Sequence, residues 1–139
     1  MKKSKSLIIT IIVITLSSCS CGRVTEKDAI GMYISKNNIN TIDTVWLNSD
    51  YSYINCIYRK PDNSLIYRNT GSWKYEDGYV IFNKFYSDQD DIHSKSEGNF
   101  EEVLSTAMLP LEIKSGNVII HHKTMYDNIY LEKQILNCC

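Results

Sequence analysis

The ten residues Trp73-Lys74-Tyr75-Glu76-Asp77-Gly78-Tyr79-Val80-Ile81-Phe82 constrain the fold more than any other stretch. Strand-forming residues on both sides of Asp-Gly are the strongest short-range signal for a two-residue hairpin. Both positions of a type I′ turn need positive φ, which Asp tolerates and Gly adopts freely. Such a turn sets Trp73 opposite Phe82 and Tyr75 opposite Val80. Those four share one face, and that face is assigned to the core. With ten tyrosines, many β-branched residues and only two prolines, the whole chain is expected to be mainly β.

The segments on either side agree. Thr25 can cap one helical turn, with Asp28 near its positive end, and a first strand follows from Gly31. Residues 41–48 and 51–59 read as a strand pair with two possible registers. A two-residue turn pairs Trp46 with Tyr53, and a three-residue turn pairs Leu47 with Tyr53. The second is preferred because it gathers Val45, Leu47, Tyr53 and Ile57 on one face. It requires Tyr51 to adopt a left-handed conformation at about 1 kcal/mol, where glycine is usual. Residues 60–64 form a loop, 65–68 resume a strand, and Asn69-Thr70-Gly71 is expected to bend the chain before residues 72–76. The polar, acidic residues 87–98 read as a surface loop. Phe100, Val103, Leu104, Ala107 and Met108 recur at helical spacing, so an amphipathic helix is expected over 99–109, ended by Pro110. Strands at 111–114, 117–122 and 129–135 close the chain. The sum is an antiparallel meander of about eight strands with one short helix.

The beginning of the chain has a different logic. Lys2, Lys3 and Lys5 precede a ten-residue, largely apolar run, 7–16, as in a secretory signal. As a helix, ten residues reach about 15 Å, half the hydrocarbon thickness, so the segment is too short to span. Leu16-Ser17-Ser18-Cys19 resembles the lipobox of bacterial lipoprotein precursors. The resemblance implies diacylglycerol and palmitate-type acylation at Cys19 and cleavage before it. Residues 1–18 are then a signal peptide, 19–24 a lipidated tether, and 25–139 the domain. The implied location is extracytoplasmic, lipid-anchored to the cell envelope. The absence of an acid at positions 20–24 leans toward the periplasmic face.

Removing the signal takes three lysines from the 15 basic residues and none of the 16 acidic ones. An acidic domain lacks the electrostatic footprint for nucleic acid, and it has no polybasic patch for anionic lipid. With Cys19 lipidated, Cys21, Cys56, Cys138 and Cys139 remain, at spacings unlike a zinc site. A Cys138–Cys139 bridge would close a strained ring, and in a closed meander Cys21 could meet the C-terminal pair.

The order Gly31-x-Tyr33, Asp43-Thr44-Val45-x-Leu47, Gly71-Ser72-Trp73 and Asp77-Gly78-x-Val80-x-Phe82 resembles the small lipocalin-like lipoproteins of bacterial envelopes. That resemblance implies a barrel or half-barrel and carries no functional residue with it. A search for chemistry finds no catalytic, cofactor-binding or metal-ligating set. His121 and His122 are adjacent on a strand and point to opposite faces. His93 lies among acids without the spacing of a calcium loop. Glu101 and Glu102 diverge, and Cys56 has no base beside it, so it reads as a partly buried structural thiol. The chain is therefore expected to be no enzyme but an envelope lipoprotein acting as a binding or protein-interaction module, held to the membrane through Cys19. The alternative is a lipocalin-like carrier of a small apolar ligand, with Tyr33, Trp73, Tyr75 and Phe82 lining the cavity.

Overall fold

The computed structural model describes residues 24–35, 37–86, 104–123 and 128–135. The lipobox, tether residues 19–23, His93 with its acidic loop, Glu101, Glu102 and the cysteines at 21, 138 and 139 lie outside them, whereas Val24, the last residue assigned to the tether, is described and buried in the core. The described chain is a closed antiparallel barrel whose eight strands follow one another in sequence order. A single helical turn, α1 (Glu26–Ala29), leads into β1 (Gly31–Ser35), β2 (Thr41–Leu47), β3 (Ser52–Arg59) and β4 (Leu65–Glu76). The circuit continues through β5 (Tyr79–Tyr86), β6 (Leu104–Lys114), β7 (Asn117–Lys123) and β8 (Asn128–Lys133), which pairs with β1.

Turn chemistry set the registers where it was strong. Trp73 pairs with Phe82 and Tyr75 with Val80, while Asp77 and Gly78 have φ of 50° and 87°. Leu47 pairs with Tyr53, and Tyr51 has φ of 65° as the three-residue turn requires. The strain at Tyr51 is offset locally. Its carbonyl accepts from Trp73 N at 2.8 Å, its ring lies 5.6 Å from the Trp73 ring, and its hydroxyl donates to Glu26 Oε1 at 2.8 Å.

Two expectations are corrected. Residues 104–109 are not helical, because β6 runs unbroken from Leu104 to Lys114; Phe100 and Val103 lie outside the described residues. Burial in β6 alternates, with Ala107, Leu109 and Leu111 inward and Met108 exposed, which is the period of a strand. Pro110 does not stop the element. It stands where β6 changes partners: residues up to Pro110 pair with β5, and those from Leu111 pair with β7. A missing N–H is tolerated at such a handover. Likewise, Asn69-Thr70-Gly71 does not bend the chain, since β4 is one strand of 12 residues with Tyr67, Asn69 and Trp73 buried along one face.

Gly71 has a packing reason to be glycine. A Cβ there would lie 2.3 Å from Asn83 O and 2.7 Å from the Tyr53 ring, which covers it from the opposite strand. At Gly78 a Cβ would meet nothing, and only its φ opposes substitution. Gly71→Ala should therefore destabilise by about 2–3 kcal/mol, as overpacking does. Gly78→Ala should cost about 1 kcal/mol, from the positive φ alone. Urea denaturation of the two variants checks the order, and equal losses would contradict the close approach at Gly71.

Candidate functional site

The barrel interior divides into two halves. Toward α1 it is apolar and filled: Tyr33, Leu47, Tyr53, Val80 and Phe82 are fully buried, Trp73 is nearly so, and Tyr75 packs against them. The helical turn closes this end. The Tyr33 hydroxyl donates to Ala29 O at 2.8 Å, that of Tyr75 to Val24 O at 2.6 Å, and Lys133 Nζ to Asp28 O at 2.6 Å. Asp28 in turn accepts from the backbone N–H and the hydroxyl of Thr25, at 2.8 and 2.7 Å. Those two hydrogen bonds hold the Asp28 carboxyl below its usual pKa.

The other half of the interior combines a small apolar cluster, Ile57 with Tyr67, and the buried polar groups. Ser35, Thr41, Asp43, Asn55, Asn69 and His122 are all buried there, contributed by five strands. Most of these groups are engaged. Thr41 donates to Asp43 Oδ1 at 3.2 Å, Ser35 donates to Asn37, and His122 stands edge-on to Phe85 at 5.5 Å. Asn55 is different: 1% exposed, its side-chain nitrogen has no hydrogen-bond partner. A buried amide without partners is disfavoured by about 1–3 kcal/mol.

Between the halves lies a β-bulge. Asn83 and Lys84 together face one residue of β6, Thr106, and Lys84 takes φ of 61°. The Tyr53 hydroxyl donates to Lys84 O at 2.9 Å, and Asn69 Nδ2 donates to the same oxygen at 2.6 Å. Burial pushes the Tyr53 hydroxyl up to about 12.

Beyond this bulge β5 leaves β4, whose residues before Ser72 pair only with β3 among the described residues. The departure opens a cleft of about 510 Å³ on the outer wall, lined by Ser52, Ile54, Thr70, Ser72, Asn83 and Lys84 among others. A second groove, of about 350 Å³, lies across the barrel beside Ile34, Tyr130, Glu132 and Gln134. Part of the polar lining of that groove is already used. Glu132 accepts from Asn117, Gln134 donates to Glu132 O, and Tyr130 is stacked on His121 at 4.6 Å.

His121 and His122 do point to opposite sides, with His122 buried inside and His121 half-buried outside. Cys56 is a buried free thiol on the outward face of β3. Tyr33, Trp73, Tyr75 and Phe82 meet inside as one cluster. Cys19, the one residue singled out for modification, lies outside the described residues. Sequence reasoning missed Asn55, Asn69 and the bulge. Asn55 carried a faint signal: a polar residue at the inward parity between Tyr53 and Ile57. Among the described residues no three His, Cys, Asp or Glu side chains come together as a metal site, and no helix is long and apolar enough to cross a membrane.

Two measurements follow from this geometry. Asn55→Leu removes an unpaired amide and should stabilise the protein by about 1 kcal/mol, read as a higher urea midpoint. A comparable loss would show that the amide is satisfied. Asp28, with a lowered folded pKa, contributes stability that is present above about pH 4, its ordinary range, and is lost as pH falls through the folded value. Acid should therefore loosen α1 first, seen as faster amide exchange at Ala29, and Asp28→Asn should remove the pH dependence. The chain matches no protein-family model, and comparison with curated proteins and with solved structures likewise gives no match.

Proposed function

We propose that this chain is a lipid-anchored lipoprotein of the cell envelope whose barrel is a non-catalytic binding module that works through its outer surface. The observation that carries the reading is the filled interior. Tyr33, Tyr53, Trp73 and Phe82 occupy the space that a guest would need, and α1 covers that end. An eight-stranded barrel has an interior only just wide enough for its own side chains or for one small ligand. Here the side chains take most of it, so recognition falls to the outside.

The anchor fits this arrangement. Val24 lies five residue steps from Cys19, a reach of at most about 18 Å. Val24 and α1 sit at the filled end, so lipid on Cys19 keeps that end toward the bilayer. The polar end then faces away from it. Two or three acyl chains hold such a domain firmly, where one would not.

The carrier alternative keeps one observation on its side, the unpaired nitrogen of Asn55 in the polar half. It favours a small polar guest, whereas the apolar half is occupied by protein.

Cys19→Ala should abolish incorporation of labelled palmitate and release the protein from membranes into an uncleaved or soluble form. A variant that still takes up label and floats with membranes would overturn the lipoprotein reading. For the module itself, titration with fatty acids and quinones should give no saturable change in tryptophan emission. A saturable change would return the carrier to first place.

A further inference from the structure

The cleft opened by the bulge differs from the rest of the outer wall in what its side chains leave unused. Thr70, Ser72 and Asn83 make no side-chain hydrogen bond among the described residues, and the Lys84 ammonium forms no ion pair. Ser52 is the exception, since its hydroxyl donates to Asp50 Oδ1 at 2.6 Å and accepts from Asn48 at 3.0 Å. Lys84 is the one charged side chain in the lining. In the smaller groove across the barrel, Glu132 and Gln134 are each already held by a hydrogen bond. Of the two, it is the first cleft that sets Thr70, Ser72, Asn83 and Lys84 side by side with no side-chain partner among the described residues.

Beside the cleft stands an aromatic plane. Trp46 is 45% exposed on the outer face of β2, and its ring nitrogen has no partner among the described residues. Register places Trp46 opposite Ile54, and Ile54 opposite Thr70. The three therefore form one row across adjacent strands, which spans about 10 Å from Trp46 to Thr70. Trp46 contributes nothing to the core from there, and its apolar plane continues into the Ile54 floor of the cleft.

From these features, and resting on the reading of the domain as a surface binding module, we infer that the cleft between Trp46 and the Asn83–Lys84 bulge binds a saccharide chain. The chemistry matches group by group. A pyranose presents a flat C–H face, which stacks on an indole and on an aliphatic floor. Its rim carries hydroxyls that both donate and accept, as the Thr70 and Ser72 hydroxyls and the Asn83 amide do. The row from Trp46 to Thr70 is about the length of a disaccharide. Lys84 adds a preference for sugars with an acidic substituent over neutral ones. A bare phosphate would use Lys84 and leave the aromatic plane idle. A fatty chain would leave every free hydroxyl and amide unpaired.

The experiment uses the full-length protein in detergent, with isothermal titration calorimetry against a neutral glucan oligomer and an oligouronate. The expected result is saturable binding, tighter for the oligouronate, with a change in the emission of the exposed indole. Trp46→Ala should weaken both ligands about tenfold without moving the thermal midpoint, because the side chain is outside the core. Trp46→Tyr should bind nearly as the parent does. Lys84→Gln should weaken the oligouronate alone, about threefold. Absence of saturable binding to both oligomers overturns the inference, as does binding that Trp46→Ala and Asn83→Ala leave unchanged. Saturable binding of an extended peptide in place of either oligomer also overturns it, while leaving the binding-module reading intact. Neither outcome depends on the lipid, which the Cys19→Ala experiment tests separately.

Discussion

Tyr53 is the side chain on which most of this barrel depends. Fully buried, it stands edge-on to Phe82 with ring centroids 5.0 Å apart, and 6.0 Å from Phe85. An aromatic pair in that edge-to-face geometry contributes about 0.5–1.5 kcal/mol beyond area burial. Its ring covers Gly71 on the neighbouring strand, and its hydroxyl ends at the carbonyl of Lys84. One residue thus joins three strands and fixes where β5 may bulge. The bulge is a consequence of core chemistry. A buried phenol needs a hydrogen-bond acceptor, and the displaced carbonyl of Lys84 supplies it. Asn69 shares that oxygen, so the buried polar atoms at the boundary between the two halves are satisfied together.

The three incomplete ladders fall in the same half of the molecule. Among the described residues, β4 pairs in register with β5 through Ser72–Glu76, β6 with β7 from Leu111 to Lys114, and β8 with β1 at Tyr33 and Ile34. The complete ladders join β1 through β4 into one sheet and make hairpins of β5–β6 and β7–β8. These three pieces are held together chiefly at the α1 end, where the aromatic cluster and the helical turn also sit. Toward the polar end the backbone seams are bridged by side chains instead, Asn69 to Lys84 O and Asn37 to Asn128 O. Stability is therefore concentrated at one end. The polar residues are gathered where the wall is least continuous, and where their burial interferes least with the core.

Much of this was legible in the chain, and the unread remainder has physical causes. Asp77-Gly78 determined its hairpin because two positive-φ positions admit few residue types. The turn at Tyr51 was legible through the face it produced, although the residue itself looked wrong for the conformation. The segment around Leu104 misled because apolar residues at 104, 107 and 108 satisfy a helical period as well as a strand's. Tertiary pairing with β5 and β7 decided between them, and Leu104 and Met108 ended up outside. Nothing in Asn83-Lys84 announces a bulge, since neither is glycine and neither side chain is used in it. The cleft was equally invisible. It comes from the parting of two strands, and no local sequence pattern records that.

That origin separates the cleft from the fold in an unusual degree. Gly71 and Tyr53, which lie beneath the cleft beside its Ile54 floor, cannot change without cost, because the core is built on the same two residues. Its rim, Thr70, Ser72, Asn83 and Lys84, touches solvent and holds nothing else in place. Surface substitutions of that kind stay within about 0.5 kcal/mol of neutral. The shape of the recess is therefore fixed by stability, while its chemistry is free to follow a ligand. A polar rim with unused donors and acceptors, set over a floor that cannot drift, is the arrangement a surface binding module requires. It arises here from a single requirement of the interior: a buried tyrosine hydroxyl must find an acceptor.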